Sequence, residues 1–80
     1  METFNNIENA INVVKDWNQE AGNKLHSQFE QAKNSHWTKN SLGNFIKSDE
    51  DVADEFYSDD DSQHAEIREI QDSIINYFCE

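Results

Sequence analysis

Apolar residues in the first third of the chain recur every three or four positions, which is the spacing of one helix face. At 100° per residue they fall within an arc of roughly 140°. The positions are Phe4, Ile7, Ala10, Ile11, Val14, Trp17, Ala21, Leu25, Phe29 and Ala32. The pattern predicts one long helix over residues 4–33, or two nearly collinear helices, about 45 Å long if straight. Thr3 is the candidate N-cap, and a break is expected, if anywhere, at Gly22-Asn23, where a mid-helix glycine costs about 1 kcal/mol.

A second amphipathic helix is predicted over residues 63–79. Its apolar positions lie within about 100° of arc. They are Ile67, Ile70, Ile74, Tyr77 and Phe78. Glu69 and Asp72 lie on the opposite side of the same helix, as expected for a helix with one face in the core.

Residues 48–58 predict a third, shorter helix. Ser48 and Asp51 resemble a capping arrangement, and acidic residues in a first turn suit the helix dipole. One predicted face carries Val52, Ala53, Phe56 and Tyr57, and the other carries Glu50, Asp51, Asp54 and Glu55. The preceding segment NSHWTKNSLGN, residues 34–44, is typical of a connection, and its Trp37 is expected to cover one end of the core.

These patterns predict an all-α fold, a small bundle or helical hairpin of about three helices (4–33, 48–58 and 63–79) in a single domain of residues 1–80. Hydrophobic residues make up only 35% of the 80 residues. A core of that size is thin, so a homodimer that pools two cores is an alternative to a stable monomer.

Charge divides the chain into two parts. Residues 1–47 contain five acidic residues and five lysines, whereas residues 48–80 contain twelve acidic residues and one basic residue, Arg68. The whole net charge of −11 therefore lies in the last 33 residues. We interpret residues 1–47 as a charge-balanced scaffold and residues 48–80 as an acidic face for a basic partner. Nucleic acid and acidic membranes are not expected as direct ligands, because both would be repelled.

The sequence carries no pattern typical of catalysis, a cofactor or a metal. Calcium-loop registers that start at Asp49 or Asp59 lack the glycine and oxygen ligands at the required positions. His26, His36, His64 and Cys79 lack zinc-site spacing, and solvated carboxylates have no pocket to separate their pKa values. We therefore predict a protein that is not an enzyme and that has no cofactor and no metal site.

The chain shows no apolar run long enough to span a membrane, and its start, METFNNIENA, lacks the features of a secretory signal. Its single cysteine, Cys79, cannot form an internal disulfide. Both features favour the reducing environment of the cytoplasm, which would be the host cytoplasm if a phage encodes the protein.

The stretch SDEDVADEFYSDDD, residues 48–61, contains eight carboxylates and no basic residue. If residues 49–80 were helical and roughly aligned, they would span about 48 Å and present about one net charge per 4 Å. One DNA strand carries a charge about every 3.4 Å. The spacing predicts mimicry of a nucleic-acid backbone, although solubility is the simpler reason for so many acids.

In size, charge and this acidic run, the chain resembles the small acidic inhibitors that phages and mobile elements encode, such as anti-restriction proteins, anti-CRISPR proteins and inhibitors of uracil-DNA glycosylase. The resemblance implies a non-catalytic inhibitor that occludes the basic, nucleic-acid-binding surface of an enzyme or complex. One alternative is an immunity protein or antitoxin that neutralises a basic toxin. Another is a homodimeric helical adaptor that uses the apolar stripe of residues 4–32 as its contact.

The predicted partner-binding residues share exposure on the acidic half of the chain, and one aromatic residue among them could anchor an interface. They are Asp49, Glu50, Asp51, Asp54, Glu55, Tyr57, Asp59, Asp60, Asp61, Glu66, Glu69 and Asp72.

Overall fold

A computed structural model describes residues 4–79, apart from the side chain of Phe4. The described part is all-α and contains no strand, which confirms the predicted fold class. The elements are α1 (Phe4–Trp17), α2 (Gln19–Asn34), α3 (Lys39–Asn44), a π-helical turn (Phe45–Asp49), α4 (Val52–Phe56) and α5 (Ser62–Phe78). The predicted number of about three helices is too low, because two short helices join the three long ones.

The prediction of one long helix, or two collinear ones, over residues 4–33 is wrong. The chain breaks at Asn18, whose backbone is extended (φ −156°, ψ 107°). The Asn18 side-chain oxygen accepts hydrogen bonds from the backbone N–H groups of Glu20 (3.1 Å) and Ala21 (3.2 Å), and so caps α2. The two helices pack against each other as a hairpin joined by one residue. The break lies four residues before the predicted site, and the proposed cap Thr3 lies outside the described residues.

Gly22 allows this close packing. A Cβ atom on Gly22 would lie 2.7 Å from both the Cα and the backbone nitrogen of Lys15 in α1. Real Cβ atoms do not approach backbone that closely, so any larger residue would force the helices apart.

The segment predicted to be a connection, residues 34–44, is helical in its second half. Thr38 and Ser41 form a reciprocal cap, in which each side-chain oxygen accepts a hydrogen bond from the other's backbone N–H at 3.1 Å. This cap starts α3 in a sequence rich in asparagine and serine. Trp37 packs against the core, as expected, and stacks on Phe45 with ring centroids 5.3 Å apart.

Seven of the ten residues of the predicted apolar stripe are buried, each at most 2% exposed. These residues are Ile7, Ile11, Val14, Ala21, Leu25, Phe29 and Ala32. This part of the stripe belongs to the core of the chain itself, whereas Ala10 is half-buried and Trp17 is exposed. The homodimeric adaptor stays a prediction.

Two aromatic residues of the predicted stripes are not in the core. Trp17 is 38% exposed and Tyr77 is 41% exposed. In contrast, Ile67, Ile70 and Ile74 of α5 are buried as predicted. The C-terminal end of α5 is covered, since Cys79 is buried and its thiol donates a hydrogen bond to the backbone oxygen of Trp37 (3.4 Å). None of the helices described combines the length and apolar character needed to cross a bilayer.

Candidate functional site

The acidic segment folds as a corner rather than as the predicted helix over residues 48–58. Ser48 and Asp49 end the π-helical turn, and α4 comprises only Val52–Phe56. The N-cap of α4 is Asp51, whose side chain accepts a hydrogen bond from the backbone of Ala53 (3.2 Å), and Ser48 does not cap it. The predicted apolar face of α4 is confirmed: Val52 and Ala53 are buried, and the two aromatic residues after them are half-buried against the core.

Asp51 points inward, although it was predicted on the exposed face with the other acids. Its side chain is only 8% exposed and contacts the guanidinium of Arg68 at 2.7 Å. The amide nitrogen of the buried Gln71 donates to the same carboxylate (3.0 Å) and to the backbone oxygen of Ile46 (3.3 Å). Asp51 caps α4 where α5 passes beside it, so the carboxylate meets α5 instead of solvent. It is not accessible to a partner.

Asp54 and Asp59 flank the buried ring of His64. The His64 Nε2 atom lies 2.8 Å from an Asp54 carboxylate oxygen and 3.3 Å from one of Asp59. The hydrogen bond with His64 lowers the pKa of Asp54, and the charge of Arg68, 3.4 Å from the same oxygen, acts in the same direction. These contacts hold α4 against α5.

The same three side chains are the residues that could hold a metal ion, since one ligand atom of each lies within 4.8 Å of the others. The nearby guanidinium of Arg68 works against a cation there, because it already neutralises Asp54. The prediction of no dedicated metal site stays a prediction.

Two further acids pair with lysines of the charge-balanced half. Glu55 contacts Lys24 of α2 at 2.8 Å, and Asp72 of α5 contacts Lys47 at 2.5 Å. The hydrogen bond to Glu55 raises the pKa of Lys24. Such exposed pairs contribute little stability, because solvent screens them. They show, however, that the two charge halves are not separate in space.

The turn between α4 and α5 contains two more predicted site residues. Asp61 caps α5 by accepting a hydrogen bond from the backbone of Gln63 (2.9 Å). Asp60 is exposed and accepts one hydrogen bond from the Ser58 hydroxyl (3.0 Å). Tyr57, the predicted aromatic anchor, is half-buried and packs against the core.

Six of the predicted partner-binding acids form no ion pair with any residue that the structure describes. They are Asp49, Glu50, Asp60, Asp61, Glu66 and Glu69. Asp61 caps α5, and the other five are exposed. The remaining seven predicted site residues, Asp61 among them, take part in caps, ion pairs or core packing, but four of them, Asp54, Glu55, Asp59 and Asp72, are exposed as well.

The predicted row of charges over about 48 Å is not formed, because α4 and α5 are not aligned end to end. The longest principal extent of the Cα trace is 30 Å. On α5 itself, Glu66, Glu69 and Asp72 follow one another with a rise of about 4.5 Å between neighbours. The acidic surface is therefore shorter than the sequence predicts.

Comparisons of the chain with protein-family models, with curated proteins and with solved structures find no match. Its resemblance to small acidic inhibitors thus rests on size, charge and the acidic run alone.

Proposed function

We propose that this protein is a non-catalytic inhibitor that binds a basic, nucleic-acid-binding surface of a target enzyme or complex. The proposal is supported by one observation above all: an ordered helical fold displays exposed carboxylates that form no ion pair with a described residue. Those carboxylates are Asp49, Glu50, Asp60, Glu66 and Glu69. A surface of this kind attracts a positively lined cleft at long range and repels nucleic acid itself.

The internal pairing of the other acids also supports a binding role. Asp51 and Asp61 cap helices, and Glu55 and Asp72 are tethered by lysines, so the carboxylates that face solvent stand on a fixed frame. A frame of this kind loses little conformational entropy on binding. Solubility alone does not require such a frame, because a flexible acidic tail would serve equally well.

A charge-matched pair of variants tests the proposal. In the first, Asp49→Asn, Glu50→Gln and Asp60→Asn remove three exposed acids of the acidic half. In the second, Glu8→Gln, Asp16→Asn and Glu20→Gln remove three acids of the charge-balanced half. Each immobilised variant and the unaltered protein are incubated with a bacterial lysate, and the captured proteins are identified.

We expect the unaltered chain and the second variant to capture a nucleic-acid-binding protein that excess duplex DNA or RNA releases at constant ionic strength. The first variant should capture much less of it. Equal capture by both variants would remove the proposal, and so would a captured protein that stays bound at saturating nucleic acid. The latter result would support the immunity-protein alternative, in which binding depends less on charge and more on apolar contact.

A further inference from the structure

Two exposed large apolar side chains lie together at one place, a groove between α1 and α5. Of the three large apolar side chains that are substantially exposed among residues 5–79, Val13 (47%) and Trp17 (38%) both line this groove. The buried side chains of Ile7 and Ile70 line it from within. Single exposed apolar residues are ordinary on proteins, but adjacent ones around a depression mark a contact surface.

The size of the groove suits one side chain of a partner. Its volume is about 260 Å³. A cavity of roughly 150 Å³ already holds a benzene ring, whereas small-molecule sites are usually roughly 300–1,000 Å³. The groove is therefore large enough for an aromatic or branched aliphatic side chain and small for a drug-sized ligand.

The rim of the groove determines the charge of what can bind. Glu66 and Glu69 line it from α5, and neither forms an ion pair with a described residue. An apolar centre bordered by unneutralised carboxylates is complementary to an apolar side chain flanked by lysine or arginine.

We infer that the α1–α5 groove is a docking site for a basic segment of a partner protein, which inserts one aromatic or branched aliphatic side chain between Val13 and Trp17 while its flanking basic residues contact Glu66 and Glu69. This inference rests on the proposed function, because that function supplies the basic partner whose apolar side chain would enter the groove. A second copy of this chain fits the groove poorly. In a two-fold symmetric contact, the acidic rims of the two grooves would face each other, and like charges held together are costly.

The test uses the full chain and a lysine-rich helical peptide with one phenylalanine, titrated against the isotope-labelled protein and followed by amide and indole NMR shifts. A second peptide has serine in place of the phenylalanine and the same charge. We expect the phenylalanine peptide to shift Val13, the Trp17 indole and Ile70, and the serine peptide to bind about tenfold more weakly or worse.

Two pairs of variants accompany the titration. Trp17→Ala should weaken the phenylalanine peptide about tenfold, whereas Tyr77→Ala, which removes the exposed aromatic residue outside the groove, should leave its affinity unchanged. Glu66→Gln with Glu69→Gln should weaken it, whereas Asp49→Asn with Asp60→Asn should not. All four positions changed by the charge variants are exposed, so each variant is expected to fold.

Three outcomes would overturn the inference. The first is equal binding of the two peptides, which would mean charge attraction without an anchor and would leave the proposed function standing. The second is the absence of shifts at Val13 and Trp17. The third is a concentration-dependent dimer that loses its association in the Trp17→Ala variant, which would make a second copy the occupant. If instead the groove behaves as expected while the lysate experiment fails, the docking site stands and the nucleic-acid-binding target does not.

Discussion

At the scale of single residues, His64 and Asp54 join α4 to α5 through an imidazole–carboxylate contact of 2.8 Å. His64 is buried, whereas more than half of the Asp54 side chain is exposed. The contact lowers the pKa of Asp54 from its ordinary value of 3.8. A lowered pKa means that the ionised form stabilises the folded state more than the protonated form does.

The direction of the pH dependence follows from that shift. Above pH 3.8 the carboxylate is ionised in both the folded and the unfolded chain, so its stabilising contribution is complete. As the pH falls below 3.8, the unfolded chain takes up the proton first, and the contribution is lost as the pH passes through the folded pKa. The stability difference between the unaltered protein and Asp54→Asn, measured by urea unfolding, should therefore shrink in acid.

Carboxyl-carbon NMR provides the direct check on the cause. In a His64→Leu variant, the pKa of Asp54 should rise toward 3.8. His26→Leu is the control, because that ring lies beside Glu30 on α2 and not beside Asp54. A titration of Asp54 that is the same in all three proteins would show that His64 is not the cause.

The buried polar residues are the part of the site that periodicity could have revealed. His64 and Gln71 are seven positions apart and lie on the same face of α5 as Ile67 and Ile74, so a 3.5-residue repeat includes them. Because both residues are polar, they were not predicted to lie in the core. Asp51 could not have been found this way, because its burial depends on where α5 passes.

At the scale of helices, the α1–α2 hairpin depends on Gly22 more than on any apolar residue at the turn. Gly22→Ala should destabilise the protein by about 2 kcal/mol, since the new Cβ would collide with the backbone of Lys15. Gly43→Ala is a matched control in α3, where the nearest atom to a new Cβ would be the Ile75 Cδ1 at 4.0 Å. It should stabilise by about 0.5–1 kcal/mol, because alanine favours helix.

Urea unfolding measures both variants, and the two are expected to differ in sign. If Gly22→Ala were as stable as the unaltered protein, the close helix crossing at Lys15 would be wrong. If Gly43→Ala were strongly destabilising, the packing of α3 would be wrong instead.

The hairpin also shows what helical periodicity can and cannot determine. The buried residues between Ile7 and Ala32 were predicted correctly. The phase of this apolar pattern, however, is the same for one straight helix and for two helices that both face one core. The deciding signal was Asn18, a strong N-cap residue, and one capping residue within a continuous pattern is easily missed. Similarly, α3 was missed because its Asn and Ser residues are typical of loops, and the Thr38–Ser41 cap lacks the usual acidic or amide partner.

At the scale of the whole molecule, net repulsion should outweigh the ion pairs. The chain carries a net charge of −11, and its Cα radius of gyration is 11.5 Å. Most of these charges therefore lie within one or two Debye lengths of each other at about 0.1 M salt, where the Debye length is about 10 Å. At about 0.01 M salt the Debye length is about 30 Å, so the repulsion between the same charges is screened much less. Raising the salt concentration over this range should shift the urea midpoint upward.

A variant with fewer unpaired acids serves as the control for this effect. Removing the charges of Glu66, Glu69 and Asp60 by Gln and Asn substitutions should reduce the response to salt. If salt instead lowered the midpoint, the exposed pairs of Lys24 with Glu55 and of Lys47 with Asp72 would dominate, and self-repulsion would not be the governing effect.

Apolar periodicity predicted the helical class and charge predicted the acidic half of the chain, but neither predicted the shape of that half. The predicted row of about 48 Å assumed that α4 and α5 continue each other. The turn between them and the contact of Arg68 with Asp51 fold α4 back onto α5. The pairs Lys24–Glu55 and Lys47–Asp72 then join the acidic half to the scaffold. Such contacts join residues that are distant in sequence, and a periodicity argument does not include them.

Under the proposed function, the 30 Å length of the molecule limits how much of a target it could occupy. One turn of duplex DNA measures roughly 34–36 Å, so a bound copy would replace about a single turn of substrate. In a cleft that holds a longer duplex, the parts of the cleft beyond the bound protein would stay accessible to nucleic acid at both ends. Displacement by long DNA would then begin at those free ends, and a short oligonucleotide of one turn would compete less effectively than its charge density suggests.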